Sequence, residues 1–351
     1  RSILGEADIL TTVDDLSRLA ELFLKKALEM AWQELQARYG PPLEEVTGRN
    51  ARFAIIGLGK LGSRELNFGS DLDLLFIYSA QGMTEGALGP GGASPLRLTN
   101  YDYFCRLGAR VIEICEGLTA SGPAYRVDIR LRPEGRKGAL ALAISDFERF
   151  CRERLETWQR QALVRARPVA GDGELGRAFL ELAQGFVYGK PFGAAEAAEI
   201  EHMRERLERE LAREVMGHLD FKLGRGGIAD IEFLVEFLQL RHGREKPTLR
   251  LTNTLRALEA LHAEGLLREE EFSHLREGYL FLRSLESRMR IVRARPLRAF
   301  PQEPTEIEAL ARRLGYVDDE TGSARGKLLR DYERHTGRVR EIYSGIMARP
   351  F

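Results

Sequence analysis

Residues 53–78 read FAIIGLGKLGSRELNFGSDLDLLFIY, and this stretch decides the fold. Its second half places Asp71 and Asp73 two residues apart at the start of an apolar run, which predicts a buried strand over residues 71–78. Alternate side chains of a strand share one face, so the two carboxylates are expected to project together. Carboxylates that lie so close repel each other, and a divalent cation between them would remove that cost.

The glycine-rich turn of residues 57–62, GLGKLG, follows a predicted strand over 52–57 and matches the pattern G-x-G-x-x-G. A dinucleotide-binding fold needs a crossover of at least about ten residues, including a helix, before the next strand. Only eight residues separate Gly62 from Asp71, which disfavours that fold. A Walker A loop is excluded as well, because Lys60 precedes the last glycine instead of following it.

A better template is the nucleotidyltransferase core of the polymerase-β-like superfamily, in which a strand, a Gly-Ser turn and a short helix lead to D-x-D on the next strand. Gly62 and Ser63, followed by Asp71 and Asp73, resemble that pattern. Glycine would let the backbone approach a triphosphate, and the serine hydroxyl would bind phosphate oxygens beside a helix N-terminus. The aspartates would hold Mg²⁺ or Mn²⁺, and Ser70 is a further candidate for nucleotide binding.

A third carboxylate is expected to complete such a site, and Asp128 is the candidate. Residues 125–132, YRVDIRLR, alternate between apolar and polar side chains, which predicts a strand with Asp128, Arg130 and Arg132 on one face. In one interpretation, Asp128 joins the metal site, and the guanidinium groups of Arg130 and Arg132 hold phosphate oxygens. In the other, this face is solvated and Asp128 is paired locally with an arginine.

Composition narrows the classes of function. The chain has 351 residues, enough for two domains, and its formal net charge of zero gives no reason to expect nucleic acid or an acidic membrane as a partner. We recognise no signal peptide and no apolar run of about 18 residues or more. The three cysteines have no CxxC spacing, which favours a reducing cytoplasm over a disulfide framework. All six histidines lie at His202 or beyond, which disfavours a histidine-based zinc site beside the aspartates.

The order of the predicted elements indicates an α+β chain. A small mixed β-sheet nucleotidyltransferase core with helices precedes an all-helical bundle region. The predicted divisions are a helical lead-in over residues 1–50, the nucleotidyltransferase core over 51–172 and the helical domain over 173–351. Residues 79–100 are rich in glycine and proline and are predicted to form a mobile surface loop.

Helical periodicity is the commonest pattern along the chain. A helix over 12–39 would begin with a capping box of Thr12 and Asp15, and a helix over 145–166 with one of Ser145 and Glu148. Arginines at the end of the second helix could face a nucleotide or form a solvated basic face; they are Arg160, Arg165 and Arg167. Further helices are predicted over 101–118, 174–188, 195–216, 228–242, 253–263, 268–294, 305–314 and 323–347.

Five ordered motifs resemble the glutamine-synthetase adenylyltransferase family. They are GLGKLGSRELNFGSDLDLLFIY, YRVDIRLRPEG, TWQRQALVRARPVAGD, DFKLGRGGIADIEF and NTLRALEAL, and they extend over most of residues 1–345. The resemblance implies one of two homologous nucleotidyltransferase halves. One half transfers AMP from ATP to a tyrosine of glutamine synthetase, and the other removes it by phosphorolysis and releases ADP. It also implies regulation by a PII signalling protein and by glutamine.

Carried over to this sequence, the resemblance implies that Asp71, Asp73 and Asp128 bind catalytic metal and that Gly62 and Ser63 meet phosphate. The family often has Gly-Gly where this chain has Gly62 and Ser63. The GSDLDL and GIADIEF stretches look more like the adenylylating half, whereas ELNF and ARPVAGD look as much like the removing half. The sequence favours adenylylation, with deadenylylation as the alternative and a non-catalytic regulatory half as a third possibility.

Overall fold

The structure is a computed structural model that describes residues 8–87, 96–117, 122–211, 219–293 and 299–350. Its helices are α1 (Ile9–Tyr39), α2 (Gly59–Gly62), α3 (Asn100–Glu116), α4 (Ile144–Arg154), α5 (Thr157–Leu163), α6 (Gly173–Gly189), α7 (Ala194–Leu211), α8 (Ile228–His242), α9 (Thr254–Ala263), α10 (Glu269–Arg293), α11 (Pro304–Arg313) and α12 (Ala324–Met347). Its strands are β1 (Pro42–Glu44), β2 (Phe53–Gly57), β3 (Leu72–Tyr78), β4 (Gly82–Thr84), β5 (Val127–Asp128), β6 (Ala141–Ala143) and β7 (Arg167–Gly171). The α+β class predicted from the sequence is confirmed.

The chain divides into two compact units. The sheet unit comprises Asp14–Leu66 and Ser70–Gly189. The helical unit comprises the residues up to Val13, Asn67–Gly69 and Lys190–Phe351. This division differs from the predicted one, because most of α1 and all of α6 belong with the sheet instead of with a lead-in or the helical domain. The reason is packing: Leu24 and Ala31 of α1 lie in the same apolar core as the strands.

A mixed five-stranded sheet organises the sheet unit. β2 lies between β3 and β7 and pairs antiparallel with both. The other edge of β3 pairs with two short parallel strands, β5 at its start and β6 at its end. The predicted strand over 125–132 is wrong in length, because the chain turns away directly after Asp128. The predicted loop over 79–100 contains β4, which pairs with β1, and its residues 88–95 lie outside the described part.

One face of the sheet packs against α1 and α3 through aromatic side chains. The ring of Phe104 in α3 stacks on the rings of Phe53 and Tyr78, with centroids 5.4 and 4.9 Å apart. Phe76 and Tyr78 of β3 are fully buried in this core. Since strand side chains alternate between faces, Asp73 projects from the opposite face of β3, in agreement with the period-two pattern of the sequence.

Both predicted capping boxes are wrong. α1 begins at Ile9, so Thr12 lies inside the first turn, and the Asp8 carboxylate accepts the Thr11 N–H at 2.7 Å. α4 begins at Ile144 and has Ala143 as its N-cap. The predicted helix over 145–166 is instead two helices, because the chain becomes extended after α4 and a capping box of Glu156 with Gln159 starts α5.

The helical unit surrounds α8, whose apolar side chains are buried on several sides. A buried ion cluster connects α7, α8 and α12. Arg204, only 1% exposed, donates from Nε to Asp230 Oδ1 at 2.6 Å, and Asp230 is fully buried. Asp230 Oδ2 accepts the Gly226 N–H at 2.7 Å and Arg340 Nη1 at 3.2 Å. Among the helices of the described ranges, none combines the length and apolarity needed to cross a membrane.

Candidate active site

Parallel pairing of β3 with β5 brings two of the predicted aspartates together. The register joins Leu72 to Val127 and Asp73 to Asp128. Residues paired across neighbouring strands project to the same face of a sheet, so the Asp73 and Asp128 carboxylates share one face. Fifty-five positions separate them in the sequence, so a local pattern could not show that the two aspartates lie side by side.

The glycine turn after β2 lies against Asp73. The Leu58 N–H donates to the Asp73 carbonyl oxygen at 2.9 Å, which fixes the turn beside the start of β3. Gly59 has φ +49°, and a Cβ at this position would lie 2.5 Å from Asp73 Oδ2. The missing side chain of Gly59 therefore leaves room for a carboxylate oxygen. No role was predicted for Gly59 from the sequence, although the G-x-G spacing of Gly57 and Gly59 is a signal of a close backbone approach.

Gly59→Ala is expected to destabilise the sheet unit by more than Gly48→Ala does. Both glycines have positive φ, which costs an alanine about 1–2 kcal/mol, but a Cβ at Gly48 meets nothing within 4 Å. The Asp73 carboxylate would have to rotate away from this Cβ, which should add about 0.5–1.5 kcal/mol for Gly59. Urea unfolding followed by tryptophan fluorescence measures this unit, because both tryptophans, Trp32 and Trp158, belong to it. Equal losses for the two variants would contradict the close approach.

Arg130 clamps the Asp128 carboxylate. Its Nε lies 2.9 Å from Asp128 Oδ1 and 2.8 Å from Oδ2, its Nη2 also bonds Oδ2, and its backbone N–H donates to Oδ1 at 2.9 Å. The side chain of Asp128 is 16% exposed and that of Arg130 is 62% exposed. The structure thus shows local pairing of Asp128 with an arginine, which was the second of the two interpretations of this segment.

Three carboxylates act on the Arg130 guanidinium. The hydrogen bonds and charge of Asp128, and then the charges of Asp73 and Asp71, raise the pKa of Arg130 above its ordinary value. Asp71 is exposed and precedes β3. Within the described ranges, no three His, Cys, Asp or Glu side chains converge closely enough to hold a metal ion. The predicted trio of Asp71, Asp73 and Asp128 is therefore gathered around an arginine and does not form a closed set of metal ligands.

Gly62 and Ser63 do not form the phosphate-binding surface that the sequence predicted. Both are buried, and a Cβ on Gly62 would lie 1.9 Å from the Arg165 carbonyl oxygen. The Ser63 hydroxyl donates to the Gly59 carbonyl oxygen at 3.0 Å. Their neighbours are the protein's own backbone, so glycine is needed here for packing. α2 has only four residues, so the helix-dipole contribution expected for a phosphate is also small.

Arg132 departs from the predicted strand face as well. The chain turns after Asp128, and Arg132 becomes only 5% exposed. This burial lowers the pKa of its guanidinium from the ordinary value. Arg130 and Arg132 are therefore not neighbours on one strand face, and of these two arginines only Arg130 is exposed. Ser70 is half-buried, one residue before Asp71.

The arginines of the α5 region are neither solvated nor free to hold a nucleotide. Arg160 is 4% exposed and donates to the Val187 carbonyl oxygen at 2.9 Å. Arg165 faces the buried Glu65 carboxylate at 3.7 Å. Arg167 donates to the Gly62 and Leu61 carbonyl oxygens, each at 2.9 Å, and so holds the end of α2. Both alternatives stated for these residues are wrong, since their partners come from distant parts of the chain.

Glu21 of α1 also supports the glycine turn, a role that no sequence motif indicated. Its Oε1 accepts Arg167 Nη2 at 2.6 Å and Arg64 Nε at 3.3 Å. Burial acts to raise the pKa of Glu21, but the hydrogen bonds and charges of Arg167 and Arg64 outweigh it and lower the pKa. The turn that approaches Asp73 is therefore held from outside by a half-buried ion network.

Comparison with known proteins agrees with the motifs. A sequence model of the family described as glutamate-ammonia ligase adenylyltransferase matches residues 1–182, and one described as GlnD PII-uridylyltransferase matches residues 195–347. The bifunctional glutamine synthetase adenylyltransferase/adenylyl-removing enzyme of Stenotrophomonas maltophilia strain K279a is 37% identical over 318 residues, which are 91% of this chain and 33% of that protein. Enzymes of the same name from Hahella chejuensis and Thioalkalivibrio sulfidiphilus are 36% and 35% identical, over 90% and 100% of this chain and 32% and 34% of theirs.

The family match covers more than half of the chain. The chain belongs to the glutamate-ammonia ligase adenylyltransferase family, and the resemblance stated from the five motifs is confirmed. The chain spans about a third of the length of the curated relatives it matches.

Proposed function

We propose that this chain is a nucleotidyltransferase module that transfers AMP from ATP to a tyrosine hydroxyl of glutamine synthetase. The observation that carries the proposal is the β3–β5 register, which sets Asp73 beside Asp128 at the glycine turn. The names of the curated relatives supply glutamine synthetase as the protein substrate. The same proposal includes a cytoplasmic location and regulation by a PII signalling protein.

The aspartates of the candidate site are chemically suited to bind a hard divalent cation such as Mg²⁺ or Mn²⁺. Carboxylate oxygens are the ligands that these cations prefer, and the absent Cβ of Gly59 leaves room for Asp73 Oδ2 at the glycine turn. Asp71, Asp73 and Asp128 would hold the cation. When bound, it would supply the positive charge that stabilises the attacking and leaving oxygens of a phosphoryl transfer.

The protein's own residues would orient the reactants. Asp128 would polarise the attacking tyrosine hydroxyl and accept its proton, as the tyrosine oxygen forms a bond to the α-phosphorus and the bond to pyrophosphate breaks. Arg130, exposed beside the aspartates, would hold phosphate oxygens, and a planar guanidinium can grip two of them. Ser70 would be a further phosphate contact, because it directly precedes Asp71 and is only half-buried.

The removal of AMP by phosphorolysis remains the second candidate. The relatives are named for both activities, and the ELNF and ARPVAGD stretches look as much like the removing half. Phosphorolysis would use the same carboxylates, with inorganic phosphate attacking the α-phosphorus and the tyrosine oxygen leaving.

One experiment separates the candidates. The isolated protein is incubated with Mg²⁺, α-labelled ATP and unmodified glutamine synthetase, and in parallel with AMP-labelled synthetase and phosphate. We expect label to enter the synthetase in the first reaction. ADP release in the second reaction without labelling in the first would establish the removing half instead. Partner binding with neither reaction would indicate a regulatory half and would refute both catalytic candidates.

A further inference from the structure

Arg130 occupies both oxygens of the Asp128 carboxylate. Oδ1 accepts the backbone N–H and Nε of Arg130, and Oδ2 accepts Nε and Nη2. A guanidinium bonded to a carboxylate in this bidentate manner competes with any metal ion for the same two oxygens. To bind a metal ion, the Asp128 carboxylate would have to exchange the Arg130 guanidinium for that ion.

The local sequence creates this clamp. β5 ends at Asp128, and the turn that follows brings the backbone of the second residue back to the aspartate side chain, as in an Asx turn. The guanidinium is then folded over the carboxylate while most of the arginine side chain stays exposed. An exposed arginine can leave without unfolding its surroundings, so the pair is suited to exchange.

We propose that Arg130 is an internal counter-cation that keeps Asp128 from binding a divalent metal until a nucleotide polyphosphate draws the guanidinium away. This inference rests on the proposed function, because it takes the aspartates as metal ligands. It makes Arg130 a residue with two partners, Asp128 in the free protein and phosphate oxygens in the complex. It follows that metal and nucleotide bind as a pair and that the metal alone binds weakly.

The test measures Mn²⁺ binding to the isolated protein, without nucleotide, from the electron paramagnetic resonance signal of free Mn²⁺. We expect Arg130→Gln to tighten Mn²⁺ binding at least about tenfold, since an uncharged amide does not compete for the carboxylate. The Mn²⁺ affinity of Arg130→Lys should lie between those of Arg130→Gln and the natural protein, because lysine keeps the charge but lacks the planar guanidinium. Asp128→Asn in the Arg130→Gln background should abolish the gain.

Arg126→Gln is the matched control. Arg126 is exposed and lies two residues before Asp128, so this variant removes a nearby positive charge without touching the clamp. It should change Mn²⁺ binding by no more than about threefold. A similar gain in both variants would mean that overall charge, and not the clamp, controls the site, and it would overturn the proposal.

A second measurement separates this inference from the proposed function. An ATP analogue with a methylene bridge between the α- and β-phosphorus atoms should tighten Mn²⁺ binding to the natural protein more than to Arg130→Gln. If Arg130→Gln leaves the Mn²⁺ affinity unchanged while the natural protein transfers AMP, the clamp is overturned and the proposed function stands. Absence of Mn²⁺ binding in every variant, together with absence of transfer, would overturn both.

Discussion

Asp73→Asn is expected to reduce AMP transfer to glutamine synthetase about a thousandfold, which corresponds to roughly 4 kcal/mol of transition-state stabilisation. Asp73 is the aspartate that the structure ties most closely to both parts of the site. It pairs with Asp128 across β3 and β5, and its Oδ2 would lie only 2.5 Å from a Cβ of Gly59. The amide keeps the shape of the side chain and removes the negative charge that a cation needs. The initial rate of label transfer from α-labelled ATP measures the loss.

The control for this variant is Asp15→Asn, the same chemical change at an exposed position of α1. It should leave the rate within about twofold. Tryptophan fluorescence during urea unfolding should show that Asp73→Asn keeps a folded sheet unit. A folded Asp73→Asn variant that retains more than a tenth of the natural rate would contradict the assignment of Asp73 to the reaction.

Asp230→Asn is expected to destabilise the helical unit by about 3–5 kcal/mol, because it breaks a buried ion pair and leaves a charge without compensation. Asp230 is fully buried, and Arg204, its main partner, is 1% exposed. The asparagine would keep an oxygen for one hydrogen bond but could not neutralise Arg204 and Arg340. Urea unfolding followed by far-ultraviolet circular dichroism measures the loss. Tryptophan fluorescence is not suitable here, because both tryptophans belong to the sheet unit.

Glu341→Gln is the comparison for Asp230→Asn. It also converts a carboxylate to an amide in the helical unit, but its partner Arg338 is 53% exposed and its own side chain is 68% exposed. Exposed pairs contribute about 0–1 kcal/mol, so this variant should unfold nearly as the natural protein does. If the two variants lose the same stability, the buried cluster does not hold α7, α8 and α12 together in the way that the contacts indicate.

The site was partly predictable from the sequence. The D-x-D spacing placed Asp73 at the start of β3 and Asp71 directly before it, and the alternation along residues 72–78 assigned the face of Asp73 correctly. The prediction that failed was the continuation of the next strand through Arg132. Alternating side chains predict an extended chain, but only pairing with a neighbour maintains a strand, and β3 offers β5 a partner at just two positions.

Roles for individual glycines and arginines could not be read from the pattern. Gly62 matches the superfamily turn, yet its missing Cβ makes room for the Arg165 carbonyl oxygen, more than a hundred positions away. Arg167 looked like one of several basic residues on a helix, yet it lies in β7 and supports the end of α2. The spacing of a motif shows which residue types occur together in the sequence. It does not show which atoms each residue contacts, because those atoms come from distant segments.

By itself, the sequence determined the α+β class, the family, the two aspartates at the start of β3 and the positions of the long helices, because these depend on local periodicity and on short motifs. Only the tertiary structure decided that Asp128 lies beside Asp73 and that α1 and α6 belong with the sheet. These outcomes depend on contacts between segments far apart in the chain. Strand register and side-chain packing set those contacts, and neither leaves a local signal in the sequence.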